Sequence, residues 1–251
     1  MIETSDAGDV RVLRLKHGRA SALDIELVEA LREAIDTAAA DGAGAIVLTG
    51  AGHIFCAGVD LFRIADGGES YVRAYIPAFK ALMFALFTVP RPLVVAANGH
   101  ALAGGAVLVA AGDYRLMAAG EGRFGYTELL VGVPFPPEAL EIIRFATPPE
   151  HLSAMLYTGA TFLPDEALAM GLIDEVVAAP EFIDRALDVA ERLARVSPAA
   201  FAETKRHLRA PALDAMRRYE SEFGRGVLDI WSARATHAQI RAYLDGAVRK
   251  K

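Results

Sequence analysis

The spacing of apolar positions changes several times along the chain, and each change marks an element. Residues 10–15 alternate apolar and basic side chains, the period of a half-buried strand. Leu23, Leu27, Leu31 and Ile35 then fall at helical spacing within residues 22–40, and Asp41-Gly42-Ala43-Gly44 ends that run. Residues 45–49 read as a buried strand and Gly50-Ala51-Gly52-His53 as a loop. A long helix is predicted over 71–87, with Pro90 and Pro92 punctuating the chain after it, and strands over 93–97 and 114–117. Pro148-Pro149 opens a helical run to Tyr157, and Asp165 caps a short helix that stops at Gly171. Residues 172–177 are the last strand-like run. After Pro180 only helices are predicted, over 182–196, 199–208, 212–223 and 227–248, broken at Pro211, Gly224 and Gly226. Alternating strands and helices followed by a helical end argue an α/β fold, with strands covered by helices.

Composition narrows the class. A chain of 251 residues, 53% apolar, can bury a full core, yet no uninterrupted apolar stretch is long enough to span a bilayer. The first residues, Met1-Ile2-Glu3-Thr4-Ser5-Asp6, lack the basic and apolar regions of a secretory signal. A single cysteine, Cys56, excludes an internal disulfide framework and a cysteine-rich zinc site, and no other metal site is indicated. The expectation is a cytoplasmic protein without a membrane partner. A net charge of −6 argues against nucleic acid as a partner. Basic residues cluster late, in Lys205-Arg206-His207-Leu208-Arg209, Arg217-Arg218 and Arg249-Lys250-Lys251, as solvated helix faces or as a local phosphate contact.

Three segments could carry chemistry. In Asn98-Gly99-His100-Ala101-Leu102-Ala103-Gly104-Gly105-Ala106 a strand ends in glycines and small residues. If a helix comes next, free backbone N–H groups face a pocket, and Gly104 and Gly105 let a ligand approach the main chain. Such donors suit an oxygen that gains negative charge. No nucleophile elbow, phosphate loop or dinucleotide-binding turn claims these glycines. In Ile54-Phe55-Cys56-Ala57-Gly58-Val59-Asp60-Leu61, Gly58 permits a tight turn and Asp60 could cap a helix. In Phe124-Gly125-Tyr126-Thr127-Glu128-Leu129-Leu130-Val131-Gly132, Glu128 sits among apolar residues. It reads either as a base raised in pKa by its surroundings or as the first-turn acid of a helix capped by Thr127.

These pieces together resemble the crotonase family, the enoyl-CoA hydratase/isomerase superfamily. The resemblance rests on Ala20-Ser21-Ala22-Leu23, the Phe55 to Asp60 turn, Pro92 through Gly105 to Asp113, the Phe124 to Gly132 segment and residues 160–177. It implies a spiral core of ββα units over 1–180 and a helical trimerisation region over 181–251, assembled as a homotrimer or dimer of trimers. It also implies an acyl-CoA thioester substrate from fatty acid metabolism, with coenzyme A as part of that substrate and no separate cofactor. The oxyanion donors would be the N–H groups of Val59 and Gly104. Coenzyme A would lie near Ala22 and along Ala57, Gly58, Asp60 and Leu61, with Gly105 beside it and Arg19 or a neighbouring subunit's Lys205 on its phosphates. Phe135, in the Pro134-Phe135-Pro136-Pro137 run, would shape the acyl pocket.

One departure decides the activity implied. Hydratases of the family use two glutamates; Glu128 matches the second, while Val107 stands where the first would be. Positioning and activating water needs a carboxyl pair, whereas a 1,3-proton shift needs one base. The pattern is therefore similar to the single-glutamate Δ3,Δ2-enoyl-CoA isomerases. Glu138 is an alternative catalytic acid, or else the first-turn residue of a helix through Arg144. Hydration, decarboxylation, thioester hydrolysis and a non-catalytic acyl-CoA-binding role are the alternatives. His100, Cys56, Asp113 and Trp231 are read as structural, the last as core or subunit interface.

Overall fold

The computed structural model describes residues 1–248; the basic tail Arg249-Lys250-Lys251 lies outside them. The chain runs β1 (Ile2–Ala7), β2 (Val10–Leu15), α1 (Ile25–Ala40), β3 (Ala45–Gly50), β4 (Ile54–Cys56) and α2 (Leu61–Thr88). It continues with β5 (Leu93–Ala97), β6 (His100–Leu102), α3 (Gly104–Ala110), β7 (Tyr114–Ala118), β8 (Phe124–Gly125) and a 3-10 turn, Glu128–Val131. Then come α4 (Pro137–Ala146), α5 (Pro149–Thr158), α6 (Pro164–Ala169), β9 (Glu175–Val177), α7 (Phe182–Ala194), α8 (Pro198–Ser232) and α9 (Arg234–Val248).

The strands form two sheets. Six make the order β1-β2-β3-β5-β7-β9, antiparallel only between β1 and β2, and β4-β6-β8 make a small parallel sheet. From β3 to β8 three successive turns of the chain each add a strand to the large sheet, then one to the small sheet, then a helical segment, and β9 adds a last strand to the large sheet alone. This is the repeated ββα spiral that the resemblance implied.

Both faces of the large sheet are covered, which is why β3 and β5 are apolar at nearly every position and fully buried. Alternate residues face opposite ways. Leu13, Leu15, Ile46, Leu48, Val95 and Met117 join the main core with α1, α2, α3 and α4. Val10, Val12, Val47, Val94 and Leu116 pack under α7 through Phe182, Ala186 and Val189.

Several elements differ from the sequence-based expectation. β1 is an edge strand with mostly exposed polar side chains, so it shows no apolar period. The helix expected over 71–87 begins at Leu61, where the Asp60 carboxylate accepts from Arg63 N–H at 3.0 Å. Its two segments join across Gly68 (φ 61°, ψ −156°), so Gly67-Gly68 mark a kink and not an end. α8 runs unbroken through Pro211, Gly224 and Gly226, its deviation from propensity offset by tertiary anchoring.

That anchor is charged. Asp113 accepts from Leu93 N–H at 2.8 Å, from Lys205 Nζ at 2.6 Å and from Arg209 Nη2 at 2.7 Å. Arg209 also donates to Phe87 O at 2.6 Å and lies 4.2 Å over the Phe87 ring. Lys205 is thus buried in an ion pair within its own chain and is not free to meet a phosphate, which corrects that expectation. Asp113 holds local backbone, as read from the sequence.

Candidate active site

Three turns meet because three short strands are neighbours. β4, β6 and β8 lie side by side and parallel, so the chain leaves all three at the same end of the small sheet. The carboxyl ends of parallel strands are where α/β folds place ligands. The turn after β4 carries Ala57 to Asp60, the turn after β6 carries Ala103 to Gly105, and β8 leads through Tyr126 and Thr127 to Glu128.

Glycine lets the first two turns touch. Gly58 has φ 88°, and a Cβ there would lie 2.7 Å from Ala103 Cβ, 2.8 Å from Leu102 O and 3.2 Å from Gly104 N. A Cβ on Gly105 would lie 2.2 Å from Cys56 O. Neither space admits a methyl group, so these glycines serve close main-chain contact. Ala103 between them takes φ 50° and ψ −125°, a strained backbone for a residue with a side chain.

The same packing leaves two amides free. Leu23 N–H donates to Gly58 O at 2.8 Å, and Asp60 N–H donates to Leu23 O at 3.1 Å. In a parallel bridge the residue between such bonds turns its own N–H the other way, and that residue is Val59. Gly104 opens α3, so its N–H has no intrahelical acceptor. Neither amide has a backbone or side-chain acceptor among the described residues.

Glu128 supplies the titratable group. It opens the 3-10 turn that Gly132 closes at φ 80°. Its side chain is buried, and Oε2 has no hydrogen-bond partner among the described residues. Burial pushes its carboxyl from 4.5 up to about 8, against a smaller downward pull from the backbone N–H groups of Glu128 and Thr127. Such a group can accept and return a proton near neutral pH.

Val59 and Glu128 share a cavity of about 160 Å³, and Ala103 brings the Gly104 turn to its wall, although Gly104 itself does not line it. Ala57, Val59 and Leu61 line it from the first turn, Leu102 and Ala103 from the second. Thr127, Glu128, Val131 and Val133 come from the third, and Trp231 and Tyr243 from α8 and α9. Among the described residues Glu128 is the one carboxylate on that wall.

The other sequence-predicted residues are distributed differently. Ala22 is half-buried beside the Leu23–Gly58 bridge, and Asp60 caps α2. Val107 does not line the cavity: all of α3 is buried, and Val107 sits in the main core one turn beyond Gly104. Phe135 is likewise a core side chain, while Val133 reaches the cavity in its place. Glu138 lies on a separate surface groove, paired with Lys80 at 3.6 Å, and Lys80 also meets Glu220. Arg19 is exposed. His100 Nδ1 accepts from Arg123 N–H at 3.1 Å, a structural role. Cys56 is fully buried and its thiol is pushed up to about 12 by burial, which makes it inert.

Trp231 and Tyr243 are the site residues that local reading missed. Trp231 is buried, as expected, but on the cavity, where Nε1 donates to Pro134 O at 2.8 Å. Its one available signal was being the sole tryptophan of the chain.

The enoyl-CoA hydratase/isomerase family model matches residues 6–229. A putative enoyl-CoA hydratase of Thermus thermophilus is 33% identical over 196 residues, 76% of this chain and 77% of the relative. The structure of a Mycobacterium tuberculosis enoyl-CoA isomerase is 31% identical with TM-score 0.81, covering 91% of this chain and 96% of that one. Human mitochondrial Δ3,Δ2-enoyl-CoA isomerase shares the fold at TM-score 0.93 and 23% identity, covering 100% of this chain and 99% of that one. The chain belongs to the enoyl-CoA hydratase/isomerase family, and its fold is the crotonase fold. Among the described residues, no helix is long and apolar enough to cross a membrane.

Proposed function

We propose that this family member converts 3-enoyl-CoA to trans-2-enoyl-CoA, with Glu128 as a single proton shuttle. The observation that carries this reading is the lone carboxylate: one buried acid shares the cavity with Val59, whose amide is free, and with Ala103, the residue before the free amide of Gly104. The ionised Glu128 takes a proton from C2 of the substrate. The C2–H electrons form a C1=C2 bond while the C1=O π electrons move onto the thioester oxygen, which gives a dienolate that still holds C3=C4. Val59 and Gly104 N–H groups donate to that oxygen. Glu128, now protonated, returns the proton to C4: the oxygen electrons reform C1=O, the C1=C2 electrons become C2=C3, and the C3=C4 electrons form the new C4–H bond. No atom is gained or lost.

Hydration is the less favoured chemistry because it needs a second carboxyl to position and activate water, and apart from Thr127 and Tyr243 the remaining wall is apolar. Exclusion of water also protects the dienolate. Glu138 serves this role poorly, since Lys80 holds it on another groove. Coenzyme A enters with the substrate, and no separate cofactor is needed for the step. A homotrimer or dimer of trimers is the assembly we assign by family likeness.

NMR of 3-hexenoyl-CoA incubated with the protein in heavy water tests the reading. Appearance of 2-hexenoyl-CoA with exchange at C2 and C4 is expected. Formation of 3-hydroxyacyl-CoA from 2-enoyl-CoA as the faster reaction would replace isomerisation by hydration.

A further inference from the structure

The cavity beside Glu128 is small, and a buried, hydrogen-bonded side chain forms part of its wall. A closed apolar space of about 150 Å³ is filled by one benzene molecule, on the order of six carbons. The present cavity, about 160 Å³, therefore has room for an acyl segment of similar size. Its two aromatic residues are not equivalent. Tyr243 is 45% exposed and stands at the rim, whereas Trp231 is 2% exposed and forms the depth.

Trp231 is held from several sides. Its indole N–H donates to Pro134 O at 2.8 Å, and its own carbonyl oxygen lies 2.9 Å from His237 Nε2. It is the penultimate residue of α8, and Ala233 turns the chain out of the helix at ψ 138°. Thr236 Oγ1 donates back to Ile230 O at 2.6 Å and braces that corner. The indole cannot swing aside without freeing its N–H donor from Pro134 O.

We propose that Trp231 is the end stop of the acyl pocket and restricts this enzyme to short acyl groups, on the order of six carbons. The proposal rests on the acyl-CoA reading above. It adds the substrate class and the residue that sets it.

Binding of saturated acyl-CoA esters tests it without requiring catalysis. Butyryl-, hexanoyl-, octanoyl- and dodecanoyl-CoA are titrated calorimetrically into the wild-type protein, Trp231→Ala and Trp231→Phe. While the pocket fills, each added methylene strengthens binding about fourfold. In the wild type this gain is expected to end near hexanoyl and to reverse at dodecanoyl. Trp231→Ala moves the optimum to octanoyl or beyond, and Trp231→Phe, which keeps the core filled, moves it less in the same direction. A wild-type series that strengthens evenly through dodecanoyl, or folded variants with an unchanged optimum, overturns the end stop and leaves the isomerase reading intact. Absence of binding by every ester removes both.

Discussion

The amide of Leu23 donates to the carbonyl of Gly58 at 2.8 Å, and this bond aims the neighbouring Val59 amide at the cavity. Gly58 can occupy that position because it has no side chain: φ is 88°, and a Cβ would collide with Ala103 and Leu102. Gly58→Ala is expected to displace both donor turns and lower kcat by about 10²–10³-fold, the usual cost of losing an oxyanion donor. Steady-state kinetics on 3-hexenoyl-CoA read this directly; a kcat within a few-fold of wild type would refute the donor assignment.

Glu128→Gln preserves shape and removes the base. Turnover should fall by at least about 10²-fold, while calorimetric binding of hexanoyl-CoA persists. The matching Glu138→Gln variant should keep most activity, because its carboxylate lies on the Lys80 groove. If Glu138→Gln proves the inactive variant, the two glutamates exchange roles.

The buried carboxyl fixes a pH dependence. Glu128 is raised to about 8, and the ionised form is the base. For the free enzyme kcat/KM is expected to climb with pH and level off above about 8. Stability moves the other way. Between 4.5 and about 8 the folded protein keeps a proton that the unfolded chain has lost. Stability therefore falls with rising pH across that window, by up to about 1.4 kcal/mol per pH unit. Urea melts of Glu128→Gln and wild type should coincide more closely at the acid end and diverge toward pH 8 in favour of the variant. A gap independent of pH would argue against a raised Glu128.

Asp113 faces two buried cations at once. Asp113→Ala leaves Lys205 and Arg209 without their carboxylate under α8, and a loss of about 3–5 kcal/mol is expected in denaturant unfolding. Exposed pairs such as Arg217–Asp214 should cost less than about 1 kcal/mol when broken. Equal losses for the two would mean that Asp113 is not the clamp described.

Much of the frame was readable before the structure. Strand 93–97 and the 3.6-period face of α1 carry apolar signals strong enough to stand alone, whereas Asp60 offers only a candidate cap and the apolar period of α2 is clear only from residue 71. The two glycine turns were legible because glycine and small residues crowd where main chains touch. The small sheet was not: β4, β6 and β8 have two or three residues each, too few to show a period. Val107 was misplaced because its position in the chain says nothing about which way a buried helix turns it. Trp231 and Tyr243 reach the cavity from more than a hundred residues beyond Ala103, and no local pattern records such a contact.

That distance in sequence has a bearing on biosynthesis. The donor amides and the acid emerge from the ribosome well before the indole that walls the pocket. The cavity thus gains its last walls, Trp231 and Tyr243, only when α8 and α9 dock.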